Sequence, residues 1–196
     1  VTAGQSNQKI WWDNERGAID HYSESFRIFM QTFGGETVTF QGTARAEVTE
    51  YTRSATKENL SKITERVNEL GLKDVQVAES TKGLTIIMED IQFEADSADL
   101  SAGEKKKLDG IADILKNFSN DILVTGHCAD RGTVASQQQL SEERAAAVAD
   151  YLSGLGVRKP DCIFTAGKGA SEPAASNATE SGRKRNRRVE ITLMDE

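Results

Sequence analysis

The chain has 196 residues, a formal net charge of −7, 37% hydrophobic and 28% charged residues, and only two prolines. That is the composition of a folded chain of one large domain or two small ones, not of a disordered one. The acidic balance excludes nucleic-acid binding through the whole surface, and no apolar run reaches the roughly 18 residues of a membrane-spanning helix.

The opening "VTAGQSNQKI" is polar and shows no secretory signal pattern, so an exported chain would be a processed form. From about Asp13, Ile19, Tyr22, Phe26, Phe29, Met30 and Phe33 recur at helical spacing, and Gly34-Gly35 ends the run, which predicts a first helix. The pair Trp11-Trp12 before it reads either as a staple onto that helix or as an exposed partner contact. "VTFQGTARAEV" alternates and predicts a strand. Leu60, Ile63, Val67 and Leu70 form one helical stripe with Gly71 as its stop. Short strands follow around Val75–Ala78 and Leu84–Met88, joined by the turn-like "STKG". These elements predict a small α+β domain over residues 1–82.

Residues 83–196 read more regularly. Ile91 and Phe93 end a strand, and Ser101 with Glu104 has capping-box spacing. A helix carrying Leu108, Ile111, Ala112 and Leu115 follows, then a buried strand at Ile122–Val124 ending at Gly126. Ser136 and Gln139 repeat the capping-box spacing before a helix that Gly154 and Gly156 close. Ile163, Phe164 and Ala166 form the next strand, a polar loop with Pro173 and Asn177 comes after it, and Val189, Ile191 and Leu193 alternate in the last strand. Strands alternating with helices predict an α+β fold with helices packed on a mixed sheet.

Two features carry chemical information. The loop "GHCADRG", Gly126 to Gly132, presents a histidine, a cysteine and an aspartate at a strand end. The helix after it should bury Leu140, Val148, Tyr151, Leu152 and Leu155, yet position 144 on that stripe is Arg144. A charge there must be paired or reach water. It is a snorkelling or ion-paired arginine, or one whose planar fork is aimed at an anion beside the preceding loop. His127 and Cys128 are adjacent, so on a strand end their side chains point to opposite faces and make a poor nucleophile–base pair. No enzyme is predicted. The two cysteines, Cys128 and Cys162, fall in no CxxC or zinc-like spacing, so neither a metal nor any other cofactor is expected. A helix crossover between parallel strands would place them at opposite ends of the sheet as free thiols.

From about Leu84 to Leu193 the chain resembles the OmpA-like peptidoglycan-binding domain. The matching pieces are "IQFEADSADLS", "LDGIADILKN", "ILVTGHCADRGT", "LSEERAAAVADYLSGLGV" and "GKGASEPAASNATESGRKRNRRVEI", in the family's order and spacing. The resemblance implies a β/α sandwich, a periplasmic and outer-membrane-associated location, and non-covalent grip on the diamino acid of the peptidoglycan stem peptide. It aligns Arg144 with the arginine that pairs with the ligand's carboxylate. It makes "RKRNRR", Arg183 to Arg188, a structural signature that holds the last loop and sheet edge through ion pairs rather than a nucleic-acid patch. The small α+β domain ahead of it has a βαββ core that resembles a BON-type module.

The departures from the family lie on the ligand side. The family loop reads glycine, histidine, threonine, aspartate, two variable residues, glycine; here Cys128 replaces the threonine and Ala129 the aspartate that accepts from the ligand's ammonium group. Gln137 replaces an asparagine, while Leu140 and Arg144 keep the frame. An alanine methyl accepts no hydrogen bond, and one lost charge-assisted bond costs roughly 1.5–3 kcal/mol. Asp130 stands one place along and in an extended loop would point the other way. The expected ligand-binding set is therefore Arg144, Asp130, Ala129, Cys128, Gln137 and Leu140. Two readings follow. The domain binds a peptidoglycan stem peptide and tethers the outer membrane or an envelope complex to the wall. Alternatively, it is a degenerate domain serving as a scaffold or binding an envelope protein partner.

Overall fold

A computed structural model describes residues 2–13, 18–47, 53–93 and 100–195. The chain divides into two compact units, Val1–Tyr51 and Thr52–Glu196.

The first unit is a three-stranded antiparallel sheet of β1 (Thr2–Asp13), β2 (Ala18–Gln31) and β3 (Thr37–Glu47), with β2 in the centre. The helix expected from Asp13 is therefore a strand. Its sequence satisfies two periods at once: Tyr22, Phe26, Ile28 and Met30 also alternate, and they share one face with Ile10 of β1 and with Phe40 and Val38 of β3. Aromatic and branched residues favour that pleated surface, and non-local pairing overrides the helical spacing. Without a helix, Trp11 and Trp12 staple nothing. Both are exposed, and the Trp11 ring stacks on His21 at 4.2 Å between centroids. At Gly42 an added Cβ would come within 2.8 Å of the Phe26 ring, so the glycine leaves room for that ring against β3.

The second unit is α+β. Helix α1 (Lys57–Glu69) is followed by β4 (Val75–Ser80), β5 (Gly83–Glu89), α2 (Ala102–Leu115), β6 (Ile122–Gly126), α3 (Val134–Gly154), β7 (Ile163–Gly167), α4 (Glu180–Asn186) and β8 (Arg188–Met194). Its mixed sheet has the order β4-β5-β8-β6-β7. β8 lies antiparallel between β5 and β6, and β6 and β7 run parallel. The expected boundary at residues 82/83 falls inside the β4–β5 hairpin, whose strands pair from Val75–Met88 to Ser80–Gly83. The βαββ core read from the sequence is likewise divided: β3 belongs to the first sheet, and β4 and β5 extend the second. Local patterning gives each element, but only long-range pairing assigns it to a sheet.

The alternating residues of the central strands make one face of this sheet. Leu84, Ile86 and Met88, Val189, Ile191 and Leu193, and Ile122 and Val124 are buried against Ile63 and Val67 of α1, Leu108, Ile111 and Leu115 of α2, and Val148 and Leu152 of α3. Each such side chain contributes about 1.5–3 kcal/mol when removed from water. The helix starts follow capping chemistry. Thr56 Oγ1 accepts from Asn59 N–H, and Ser101 Oγ from Glu104 N–H. For α3 the expected pair Ser136 and Gln139 is displaced by one turn: Thr133 is the cap, and Ser136 completes a reciprocal box with it. The stretch expected as a polar loop before the last strand contains α4, capped by Thr179.

The parallel pair places Cys128 beyond the end of β6 and Cys162 just before the start of β7, and both are free thiols. Among the described residues, no helix is long and apolar enough to cross a membrane.

Gly126 marks the tightest backbone approach of α3 to the sheet: a Cβ there would lie 2.1 Å from Ser141 O. The substitution Gly126→Ala is expected to destabilise the chain by about 1–3 kcal/mol. Gly154→Ala, whose added Cβ meets nothing within 4 Å, should stay within about 1 kcal/mol of wild type. Urea unfolding of the two variants checks the contrast.

Candidate functional site

The loop Gly126–Gly132 leaves the end of β6 and is fixed by backbone bonds to both neighbouring segments. His127 N–H donates to Arg188 O at 2.9 Å, and Cys128 N–H to Gly169 O at 2.8 Å. Lys168 N–H donates back to Gly126 O at 3.0 Å. Gly132, with φ +85°, turns the chain into α3. Ser141 Oγ, on α3, accepts from Gly169 N–H at 2.9 Å and donates to Gln138 O at 2.7 Å. The second strand-end loop is thus joined to the same helix.

A cavity of about 200 Å³ lies between the first loop and α3, lined by Cys128, Ala129, Arg131, Ser136, Gln137, Leu140, Arg144 and Arg187. Five of the six residues singled out from the sequence meet here. Asp130 does not line it. Its side chain is exposed and accepts from Gln137 Nε2 at 3.1 Å, while its backbone N–H donates to Asn177 Oδ1 at 3.1 Å. Arg131, Ser136 and Arg187 are additions. Arg131 falls on a variable loop position and Ser136 reads as a helix cap. Arg187 is hidden inside a basic run, and no local signal distinguishes it.

The two deeper arginines differ in their partners. Arg187 donates to Asp90 through Nη2 at 2.9 Å and Nε at 3.2 Å, and to Glu180 through Nη2 at 3.2 Å. Arg144 has its guanidinium carbon 4.8 Å from the centroid of the Phe93 ring, a cation–π contact. Its Nε is buried without a hydrogen-bond partner, and no described carboxylate lies within ion-pair distance of it. Burial pushes the Arg144 pKa down, Cys128 acts against that, and the charge of Arg187 adds to it. Burial pushes the Cys128 thiol up against the opposing influence of Arg144. Arginine nevertheless stays charged at any ordinary pH. The cavity therefore presents fixed positive charge with small apolar walls.

His127 and Cys128 face different groups. His127 is buried, with Nε2 3.5 Å from Glu190 Oε1 and 3.4 Å from Arg188 Nη2. Cys128 Sγ points toward Gln137 O at 3.5 Å. The basic run is ion-paired along its length: Arg183 to Glu180, Arg185 to Glu89, Lys184 and Arg187 to Asp90, and Arg188 to Glu190. Buried Asn186 completes the frame. It brackets Ala175 through both backbone groups and donates to Asn177 Oδ1 at 2.8 Å, the same oxygen that accepts from Asp130 N–H.

Residues 92–187, which span this loop, the cavity helix and the basic run, match the OmpA family. The second unit carries an OmpA-family domain. Over 106 residues it is 40% identical to Outer membrane protein A of Bordetella avium, covering 54% of each chain. It is also 40% identical over 104 residues to Peptidoglycan-binding protein ArfA of Mycobacterium tuberculosis, covering 53% of this chain and 32% of that protein. The chain thus spans about half or less of these curated relatives. Among solved structures, the cell wall anchor of the T6SS from Pseudomonas aeruginosa is 31% identical with a TM-score of 0.59, covering 68% of this chain and 96% of that one. The α+β fold with its mixed sheet is that of the OmpA-like domain.

Glu190 ties this frame to pH. Burial opposes its ionisation, but hydrogen bonds from His127 and Arg188 and their charges outweigh that and bring its carboxyl down to about 2 from an ordinary 4.5. Ionised Glu190 therefore favours the folded chain; its contribution is complete above about pH 4.5 and is lost as the pH falls through about 2. Glu190→Gln should lower stability near neutrality by about 1–3 kcal/mol and flatten the acid limb between those pH values. Denaturant titrations across that range check both effects.

Proposed function

We propose that the OmpA-like domain is a non-catalytic wall-binding module. Its cavity takes the carboxylate end of a peptidoglycan stem peptide, and binding tethers the outer membrane or an envelope complex to the wall from the periplasmic side. The observation that carries this reading is Arg144: a guanidinium placed on the core-facing stripe of α3, lining a cavity at the strand ends, with a buried Nε that no described group satisfies. A guanidinium on that stripe, lining a cavity with no described carboxylate paired to it, is a ready partner for an anion. Relatives named as peptidoglycan-binding and cell-wall-anchoring proteins support the same substrate class.

In this reading Arg144 holds the carboxylate, Leu140, Ala129 and Cys128 form the walls, and Gln137 orients the loop through Asp130. A second reading is favoured by one specific observation: the wall position occupied by Ala129 carries a methyl, and the nearest loop carboxylate, Asp130, is held by Gln137 outside the cavity lining. There the domain does not hold diaminopimelate-type peptidoglycan and serves as a scaffold or a protein-binding module.

Sedimentation of the protein with purified diaminopimelate-containing sacculi separates the two. Saturable retention that falls at least about tenfold in Arg144→Ala, the loss of a charged hydrogen-bonding partner, supports the wall-binding module. Absence of retention in the wild type, with retention gained in Ala129→Asp, supports the scaffold.

A further inference from the structure

The charges around the cavity specify its ligand more narrowly than a peptidoglycan stem peptide. We propose that the cavity selects a carboxylate that has no free ammonium group beside it, the N-acylated carboxylate found at a peptide C-terminus, over the zwitterionic end of a free amino acid. This inference rests on the wall-binding reading and names which end of the stem peptide the site would hold.

Three guanidinium side chains, those of Arg131, Arg144 and Arg187, line the space, and none of the eight lining residues is acidic. Among the described residues, the nearby acids are committed elsewhere. Asp90 and Glu180 take the hydrogen bonds of Arg187, and Asp130 is exposed and held by Gln137. A carboxylate entering the cavity meets the Arg144 guanidinium and a positive field. An ammonium group one carbon away would enter the same field with no carboxylate among the described lining residues to pair with it, and would give up its water to do so. Acylating that nitrogen removes its charge and leaves one neutral N–H, whose desolvation costs far less than that of an ammonium group. The acyl carbons suit the remaining lining of Ala129, Leu140 and Cys128. The size agrees: about 200 Å³ of space admits a group of the size of one acylated residue. A stem peptide carries both kinds of end, a terminal residue with an acylated nitrogen and a diamino acid whose far end is zwitterionic, so the distinction has a physical counterpart in the wall.

The test titrates the full chain with N-acetyl-D-alanine and, separately, with D-alanine, and follows the backbone amide resonances of residues 127–132 and of α3. The expected result is saturable binding of N-acetyl-D-alanine at least about tenfold tighter than D-alanine, the effect of one uncompensated charged group. Loss of that binding in Arg144→Ala is expected as well. Ala129→Asp should shrink or reverse the preference, because it returns an acceptor to the wall. Equal or tighter binding of D-alanine overturns the inference, as does the absence of a saturable response to either compound. Sacculus retention together with a D-alanine preference overturns it while leaving the wall-binding reading standing. A clear N-acetyl-D-alanine preference without sacculus retention supports the selectivity and overturns the wall-binding reading instead.

Discussion

The contact on which the rest of the second unit depends is the bare backbone approach of α3 to the ends of β6 and β7. Gly126 and Gly167 close those strands, and a Cβ at either would lie within 2.6 Å of Ser141 or Glu142 atoms. With no side chain interposed, Ser141 reaches Gly169 N–H directly and α3 is fixed in height and rotation against both loops. Arg144 stands one turn further along the same helix. Its guanidinium lines the cavity under the first loop because the helix cannot retreat from the strand ends. The position of the candidate site is thus a consequence of missing atoms at two glycines rather than of any attraction between its polar groups.

The electrostatics of the unit follow a similar division of labour. The chain is acidic overall, yet its basic run is spent on ion pairs: those to Glu89 and Asp90 fasten α4 to the end of β5, and those to Glu180 and Glu190 stay within α4 and β8. Apart from the half-buried Arg187–Asp90 and Arg188–Glu190 pairs, each keeps at least one partner open to solvent and contributes little alone. Their collective effect is geometric: they settle where Arg187 stands beside Arg144. The charge left over at the cavity is the part of the arginine set that the fold itself does not consume.

Much of this unit was legible in the sequence because local rules and tertiary pairing agree there. The stripe of Leu108, Ile111 and Leu115, the alternation of Val189, Ile191 and Leu193, and the parallel crossover that separates Cys128 from Cys162 all follow from periodicity and connection chemistry. Arg144 stood out as a charge on an apolar stripe, and Ala129 as a methyl where the family places an acid. Legibility failed where two periods overlap. Residues 18–31 fit a helix and a strand equally well, and only pairing with β1 and β3 decides between them. It failed again where assignment depends on partners remote in sequence. β4 and β5 look like the end of a small domain until β8 is seen beside β5. Arg187 escaped notice because its value to the cavity comes from neighbours contributed by four separate segments.

The junction at Ser54 carries a mechanical implication. Buried Ser54 donates from Oγ to Leu193 O at 2.6 Å, accepts from Leu84 N–H at 3.0 Å, and donates its backbone N–H to Asp195 at 2.6 Å. The first described residues of the unit are therefore stitched to the last, and to both central strands β5 and β8 at once. Tension arriving along the chain at this point would be divided between two antiparallel strands and borne by several hydrogen bonds loaded side by side. It would not peel one bond at a time from an edge. The seam that closes the second unit on itself thus lies at the point where the chain enters it.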